Sequence, residues 1–289
     1  MSIAVIANPL AGRGRGQKTA RLAREILRKK NIDFELIFTK NAKHAIELAH
    51  AAGDKHEVVA ALGGDGTIRE VLTGLQGSTA VMGIIPGGTG NDYARGLGIP
   101  RQTAPAIDVL LRGNTDRLDI GFNGRRLFGV LASIGFPVDV IQYVNNSRQS
   151  MLRGKPAFLG AVVATVRNLK TFTVEISVDG KKRTDRIVGL FVMNMPYGGG
   201  GMKFTPDAHY NGGQFDVLIV GEITRTDLAI TLPKIYSGNH TNHPAVTILK
   251  GKDISVEGAP YPIMLDGDIF PPEPLHTKIV PGQTPVIIP

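Results

Sequence analysis

Cysteine is absent from all 289 residues, which excludes disulfides and thiolate metal sites and fits a reducing compartment. Tryptophan is also absent, and aromatic residues make up 6% of the chain. A surface that stacks single-stranded nucleic acid needs more rings than that. No apolar run approaches the roughly 18–20 residues needed to span a bilayer. The opening stretch Met1 to Ala7 is too short for a secretory signal and runs directly into a glycine-rich motif. A cytoplasmic protein is the expectation. There is no internal repeat, no low-complexity linker and no long basic run, although the net charge is +8. The basic residues are scattered, with small clusters at Arg13/Arg15/Lys18, Arg148/Arg153/Lys155 and Lys181/Lys182/Arg183. Such a distribution suits an anionic membrane surface or phosphorylated ligands, and no nucleic-acid partner is expected.

What is present is a globular composition, 42% hydrophobic and 20% charged, long enough for two domains. The chain is organised around Leu62-Gly63-Gly64-Asp65-Gly66-Thr67-Ile68-Arg69-Glu70. The residues before it, Glu57 to Leu62, read as a buried strand. After it, Ile68, Val71, Leu72 and Leu75 fall on one helical face. A glycine-rich turn from strand to helix brings backbone close to a ligand, and a helix N-terminus offers N–H groups to a phosphate. Asp65 would repel a phosphate unless a divalent cation lies between them. The stretch therefore points to a polyphosphate nucleotide with Mg2+; as a purely structural corner, it would have Asp65 as N-cap.

Two more glycine-rich loops follow predicted strands. Ser2 to Ala7 leads into Asn8-Pro9-Leu10-Ala11-Gly12-Arg13-Gly14-Arg15-Gly16, then a helix over Lys18 to Lys30 with Leu22, Ala23, Ile26 and Leu27 on one side. Ala80 to Ile85 leads into Pro86-Gly87-Gly88-Thr89-Gly90-Asn91-Asp92. The spacing of the first loop fits neither a dinucleotide fingerprint nor a P-loop. In an open parallel sheet such loops gather at the C-terminal edge, where ligands bind. Strand and helix alternate up to Arg117–Gly121, which predicts a three-layer α/β domain over residues 1–121 with a parallel sheet. Short strands and turns then dominate, Asp179-Gly180 among them as a hairpin turn. One strand is expected over Arg126 to Ile134, a helical region with an apolar stretch at Phe158 to Val166, and a helix over Thr226 to Tyr236. Residues 122–289 read as an antiparallel β-sandwich, whose last strand has the option of returning to the first domain, with the site in the cleft between the two.

The ordered motifs resemble the diacylglycerol kinase catalytic family, in its bacterial lipid kinase branch related to sphingosine kinases. They are Asn8-Pro9-x-x-Gly12, Gly63-Gly64-Asp65-Gly66-Thr67, Pro86 to Asp92, Leu118-Asp119-x-Gly121, Gly198-Gly199-Gly200, Pro206-Asp207-Ala208, Gly238-x-His240 and Leu265-Asp266-Gly267-Asp268. The resemblance implies ATP-dependent, Mg2+-dependent phosphorylation of a lipid hydroxyl, such as that of diacylglycerol, by a peripheral enzyme at the inner membrane face. It implies nucleotide contacts from Asn8, Pro9, Gly12, Arg13, Thr39, Gly63, Gly64, Asp65, Gly66, Thr67, Glu70, Gly88, Thr89 and Asn91. It places Asp65, Asp92 and Asp119 in a Mg2+ and water network, and a general base at Asp266 or Asp268. On an extended segment those two carboxylates would face the same side and act together; the plain structural alternative is a solvated Asp-Gly-Asp turn.

Several residues depart from the family pattern. Asp268 stands where Glu is usual. Arg69 replaces an Asn, either to touch phosphate or to face solvent. Asn211-Gly212-Gly213 lacks the carboxylate that would help hold a structural Mg2+, leaving backbone oxygens at His209 and Gln214. Gly135-Phe136-Pro137 replaces a Gly-Phe-Asp and bears on a helix start. His240 and His243, with no carboxylate near them in sequence, make a poor zinc site. Two alternatives stay open: a NAD kinase-like enzyme with a soluble dinucleotide acceptor, and a non-catalytic nucleotide- or lipid-binding protein. Edge strands of the sandwich leave a homodimer open as well.

Overall fold

The computed structural model describes residues 2–146, 160, 164–258 and 261–289. The cluster Arg148/Arg153/Lys155 and most of the apolar stretch from Phe158 lie outside the described residues. Four strands carry the α/β part: β1 (Ile3–Ala7), β2 (Phe34–Phe38), β3 (Val58–Gly63) and β4 (Val81–Pro86). They run parallel in the order β2-β1-β3-β4, with Ala7 opposite both Phe38 and Leu62, and Gly63 opposite Pro86. Their C-terminal ends are therefore level at one edge. The order reverses between β1 and β3, so the crevice outside these strands falls between their loops.

Alternation along β1 and β3 splits the core in two. Ile3, Val5, Val58 and Ala60 pack with Ala20, Ala23 and Leu27 of α1 (Ala11–Lys29) and with Ile107 and Leu110 of α5 (Thr103–Arg112). Ala4, Ile6, Val59 and Ala61 pack with Ala45 and Ala49 of α2 (His44–Gly53) and with Ile68, Val71 and Leu72 of α3 (Asp65–Gly74). This gives the three layers expected. Leu22 is a correction: it is 43% exposed, and α1 buries Ala20 in its place. The short α4 (Asp92–Gly96) follows the third glycine-rich loop.

From β5 onwards the strands pair antiparallel with one another. The strand predicted at Arg117–Gly121 is longer, β5 (Thr115–Asn123), and it pairs antiparallel with the last strand instead of extending the parallel set. The single strand predicted over Arg126 to Ile134 is broken into β6 (Arg126–Phe128) and β7 (Leu131–Gly135). Then come α6 (Phe136–Asn146), β8 (Phe172–Val178), β9 (Lys181–Met193), the ministrands β10 (Tyr197–Gly198) and β11 (Met202–Lys203), and β12 (Phe215–Gly221). α7 (Arg225–Thr231) continues into a 3-10 turn over Leu232–Tyr236. β13 (Val246–Gly251), β14 (Asp253–Glu257), β15 (Pro262–Leu265), β16 (Asp268–Pro272) and β17 (Leu275–Ile287) complete the chain. β8 and β9 are joined by Asp179 and Gly180 at φ 50 and 81, the mirror-image turn that suits hairpin twist. β17 pairs antiparallel with β5 and β14, and at Val286 it meets Met82 of β4 in parallel. α6 begins at Phe136 with Pro137 in its first turn, where a missing N–H costs nothing.

Candidate active site

The three glycine-rich loops meet at the level edge of the parallel strands. They touch through backbone, which is why side chains are excluded there. A Cβ on Gly12 would lie 2.3 Å from the Gly87 carbonyl oxygen, and Gly12 has φ +57. A Cβ on Gly88 would lie 2.4 Å from Gly64 Cα. The Gly87 N–H donates to the Gly63 carbonyl at 2.7 Å. The first turn of α1 is interrupted by left-handed residues Gly12, Arg13 and Gly14, so the helix predicted from Lys18 is preceded by a tight basic turn. Arg13 is exposed on it.

Asn8 locks the first loop to α3: its Nδ2 donates to Thr67 Oγ1 at 3.1 Å, and its Oδ1 accepts from the Leu10 N–H at 3.0 Å. The Pro9 carbonyl accepts from the Gln17 N–H at 3.2 Å. Thr39 is buried just past β2, its N–H donating to the Ala7 carbonyl at 2.9 Å. Gly64 is the N-cap of α3 and supplies no side chain, so the first-turn N–H groups at Gly66 and Thr67 point towards the crevice with the positive end of the helix dipole. No atom lies within 4 Å of a Cβ placed on Gly66, so that side is open. Thr89 is exposed on the third loop. Asn91, by contrast, is buried in a left-handed conformation, and its side chain is spent on Gly88, accepting its N–H at 2.9 Å and donating to its carbonyl at 3.1 Å. Glu70 also turns away. Its carboxylate accepts the Lys43 and Ala45 N–H groups at 3.0 and 3.3 Å, capping α2.

Asp65 is not the N-cap of its own helix. Its Oδ1 accepts the N–H groups of Asp92 (2.6 Å) and Tyr93 (3.1 Å), so it caps α4. Burial, with the Asp92 charge adding to it, pushes its pKa up to about 6. Asp92 is buried, which raises its own pKa, while the Gly200 N–H at 2.7 Å and Arg95 at 2.7 Å hold it. A Cβ on Gly90 would lie 2.8 Å from Asp65 Oδ2 and 3.4 Å from Asp92 Oδ2, so the two oxygens flank one point. Two hard oxygens converging with like charge suit a divalent cation. Asp119 stands apart from this pair. Its two oxygens take the Gly213 N–H at 2.6 Å and the Gly282 N–H at 2.7 Å. The segment Asn211-Gly212-Gly213 is thus fastened to Asp119 by hydrogen bonds, and the His209 carbonyl accepts the Gly212 N–H at 3.0 Å. Among the described residues no group of three or more His, Cys, Asp or Glu is placed to hold a metal ion.

The Asp266-Gly267-Asp268 segment corrects the extended reading. Asp266 and Gly267 have φ 47 and 92 and form the turn between β15 and β16, with Leu265 opposite Asp268. The two carboxylates have different partners. Asp266 accepts four bonds: Tyr93 Oη at 2.6 Å and the N–H groups of Gly129, Val130 and Leu131, each at 2.9 Å. Asp268 is exposed and paired with Arg69, whose guanidinium also donates to the Leu265 carbonyl at 3.3 Å. Arg69 therefore reaches neither solvent alone nor a phosphate loop, but bridges the two halves of the chain. Burial opposes its charge, and Asp268 with Asp266 outweighs that, raising its pKa. Tyr93 and Arg95 are not among the residues the motifs single out; they lie one and three residues after Asp92, on the helix that the third motif opens.

Beside this turn lies an apolar pocket. Leu131, Met264, Phe191, Phe204, Leu228 and Ile235 are among its walls, with Gly199 at one side. Leu131 gives its N–H to Asp266, and Gly200, next to Gly199, gives its N–H to Asp92. The pocket therefore starts one residue from the acidic cluster on two sides.

Residues 2–122 match the diacylglycerol kinase catalytic domain, and residues 130–288 match the YegS C-terminal NAD kinase beta sandwich-like domain. A diacylglycerol kinase of Mycobacterium tuberculosis (strain ATCC 25618 / H37Rv) is 30% identical over 298 residues, covering 99% of this chain and 95% of the relative. One from Staphylococcus saprophyticus is 30% identical over 256 residues, covering 87% and 83%. The crystal structure of a diacylglycerol kinase from Bacillus anthracis str. Sterne superposes with a TM-score of 0.79 at 22% identity, covering 100% of this chain and 97% of that one, a likeness of fold. With both halves matched in order and a 30% identical relative aligned along nearly the whole chain, the protein belongs to the diacylglycerol kinase family of kinases.

Proposed function

We propose that the protein transfers a phosphoryl group from ATP to the hydroxyl of a lipid alcohol held in the apolar pocket. The observation that supports this most is the position of the pocket, whose wall residues Leu131 and Gly199 are also the neighbours of the Asp266 and Asp92 contacts. A lipid whose chain fills the pocket would present its head at the acidic cluster. ATP with Mg2+ supplies the transferable phosphoryl group and neutralises the charge that develops on it. The first-turn N–H groups of α3, Thr89 and the exposed Arg13 bind phosphate oxygens at the crevice. Asp65 and Asp92 would hold the cation, which would offset their like charge. Asp119, spent on Gly213 and Gly282, keeps the second half of the chain seated.

Asp268 is the base. A base must have a free lone pair facing the substrate, and Asp266 is filled by four donors while Asp268 has one partner and is exposed. Arg69 orients it. The alternative with a soluble dinucleotide acceptor is less well supported, because a polar nicotinamide dinucleotide has few partners on apolar walls. The enzyme acts as a peripheral protein at an anionic membrane surface, drawn there by its charge of +8.

The test is labelled phosphate transfer from ATP with Mg2+ in mixed micelles of diacylglycerol, phosphatidylglycerol or a sphingoid base, with NAD as the soluble control. Label in a lipid, lost in Asp65→Ala and Asp268→Ala, is the expected result. Label in NAD alone, or none anywhere while ATP still binds, would overturn the reading.

A further inference from the structure

The loop 210–214 leads into β12, and β5 holds it by four hydrogen bonds. Asp116 Oδ2 accepts the Tyr210 hydroxyl at 2.8 Å and the Asn211 side-chain amide at 3.0 Å. Asp119 Oδ2 accepts the Gly213 N–H at 2.6 Å, and the Asp119 N–H donates to the Tyr210 carbonyl at 2.8 Å. The second oxygen of each carboxylate is taken as well. Asp116 Oδ1 accepts the Arg117 N–H at 2.7 Å, and Asp119 Oδ1 accepts the Gly282 N–H at 2.7 Å. The Tyr210 hydroxyl, with the Arg117 N–H, holds the Asp116 carboxyl below its ordinary range, so it stays charged and accepting. Asp119 is buried, and each of its bonds crosses to another segment.

The family resemblance implies a structural Mg2+ against this loop. Such an ion wants hard oxygens in octahedral array, one or two carboxylates among them. The residues present do not fit. Gly212 offers no side chain, and of the two backbone oxygens left, that of His209 already accepts the Gly212 N–H at 3.0 Å. Three nearby carboxylates are committed elsewhere: Asp116 and Asp119 to the donors above, and Asp216, close enough to His209 to feel its charge, to Lys250 Nζ at 3.2 Å. Space is not the obstacle. A Cβ on Gly212 would lie 3.2 Å from the His209 carbonyl oxygen, and its φ is not left-handed, so a side chain needs only a small shift there.

We infer that Asp116 and Asp119 fasten this loop in place of a cation, so that the join between the two halves of the chain needs no Mg2+. Two carboxylates on one strand each draw donors from the loop, which ties it down as a shared ion would, with N–H and O–H groups supplying the positive ends. Any Mg2+ that the protein takes then goes to the Asp65–Asp92 pair.

Amide hydrogen exchange over residues 208–216 tests this on the full chain without nucleotide. In the wild type the exchange of that segment should be the same in EDTA and in millimolar Mg2+. Asp116→Ala removes the acceptor of Tyr210 and Asn211 and should speed exchange there by about tenfold, and Mg2+ should not restore it. Gly212→Asp sets a carboxylate beside the His209 oxygen, and its exchange should slow in Mg2+, also when combined with Asp65→Ala to remove the other pair. Slower exchange of the segment in Mg2+ in the wild type would overturn the inference. So would an Asp116→Ala chain whose exchange is unchanged, or is restored by Mg2+. A Gly212→Asp chain as indifferent to Mg2+ as the wild type would overturn it too, since a carboxylate at 212 would then not be what is missing. Neither ATP nor lipid enters these measurements, so their outcome is separate from that of the phosphate-transfer assay.

Discussion

Asp266 and Asp268 stand two residues apart, and their surroundings make opposite demands on them. Asp266 gathers three backbone N–H groups and a buried tyrosine hydroxyl. Asp266→Ala removes their acceptor, at about 1–3 kcal/mol for each buried donor left unpaired. A fall in Tm of many degrees is expected. Asp268→Ala should lose phosphate transfer with little change in Tm, since its partner Arg69 keeps the Leu265 carbonyl. Equal losses of stability in the two variants would contradict the division of roles. Asp65 carries the pH dependence. Its folded pKa of about 6 lies above the ordinary 3.8, so the folded protein holds a proton that the unfolded chain has released. Its contribution to stability is therefore greatest as the pH falls below both values and is lost as the pH rises through about 6. In Mg2+-free buffer, Asp65→Asn should gain in stability relative to the wild type as the pH rises from 3.8 to about 6, by up to about 1.4 kcal/mol per pH unit. A constant difference across that range would rule out the raised pKa. These roles were only partly legible in the sequence. The motif named Asp266 and Asp268 together, and Asp-Gly-Asp also reads as a turn, but nothing local shows that the two positive φ angles set them against different partners. Arg69 was visible as a departure; its partner, Asp268, is 199 residues away and no local pattern could reveal it.

Three glycine-rich loops were readable because each follows a short continuous apolar run, and the first two lead into a period-3.6 helix. What the sequence hid is that the loops rest on one another. Gly12 lies on Gly87, and Gly64 on Gly88, at distances that admit no side chain. Gly88→Ala should push the second and third loops apart and weaken ATP binding at least about tenfold, measured by calorimetry, while Gly66→Ala has open space and should weaken it less. Equal effects would show that the loops do not depend on that contact. Glu70 shows the other limit of motif reading: it sits within the central stretch, yet its carboxylate caps α2. Glu70→Ala should cost about 1 kcal/mol of stability, the usual size of a lost cap, read from denaturant midpoints. The antiparallel half was legible as alternating short strands, but the break between β6 and β7 was not, because Gly129 and Val130 continue the apolar run while their N–H groups turn to Asp266.

Across the whole molecule, the pocket and the exposed apolar side chains share elements. Ile230 of α7, Tyr236 of the following 3-10 turn and Tyr143 of α6 are exposed, and each of these elements also contributes to the pocket walls. If lipid enters there, Ile230→Glu should reduce co-sedimentation with phosphatidylglycerol vesicles, and binding should weaken as salt screens the charge of +8. Unchanged binding in both would place the membrane contact elsewhere. The same scale brings out the position of β17. It pairs with β5 and β14 and meets β4, so it belongs to both halves of the sheet at once. During synthesis this strand is made after β5 to β16, long after β1 to β4. Until then β4 has no neighbour on its outer side, and the α/β half waits, one edge open, for a segment nearly two hundred residues downstream. The protein is thus a late closer: native pairing must join segments far apart in sequence, which favours slow folding. An incomplete nascent chain lacks a strand from both halves, so premature termination would leave neither one sealed.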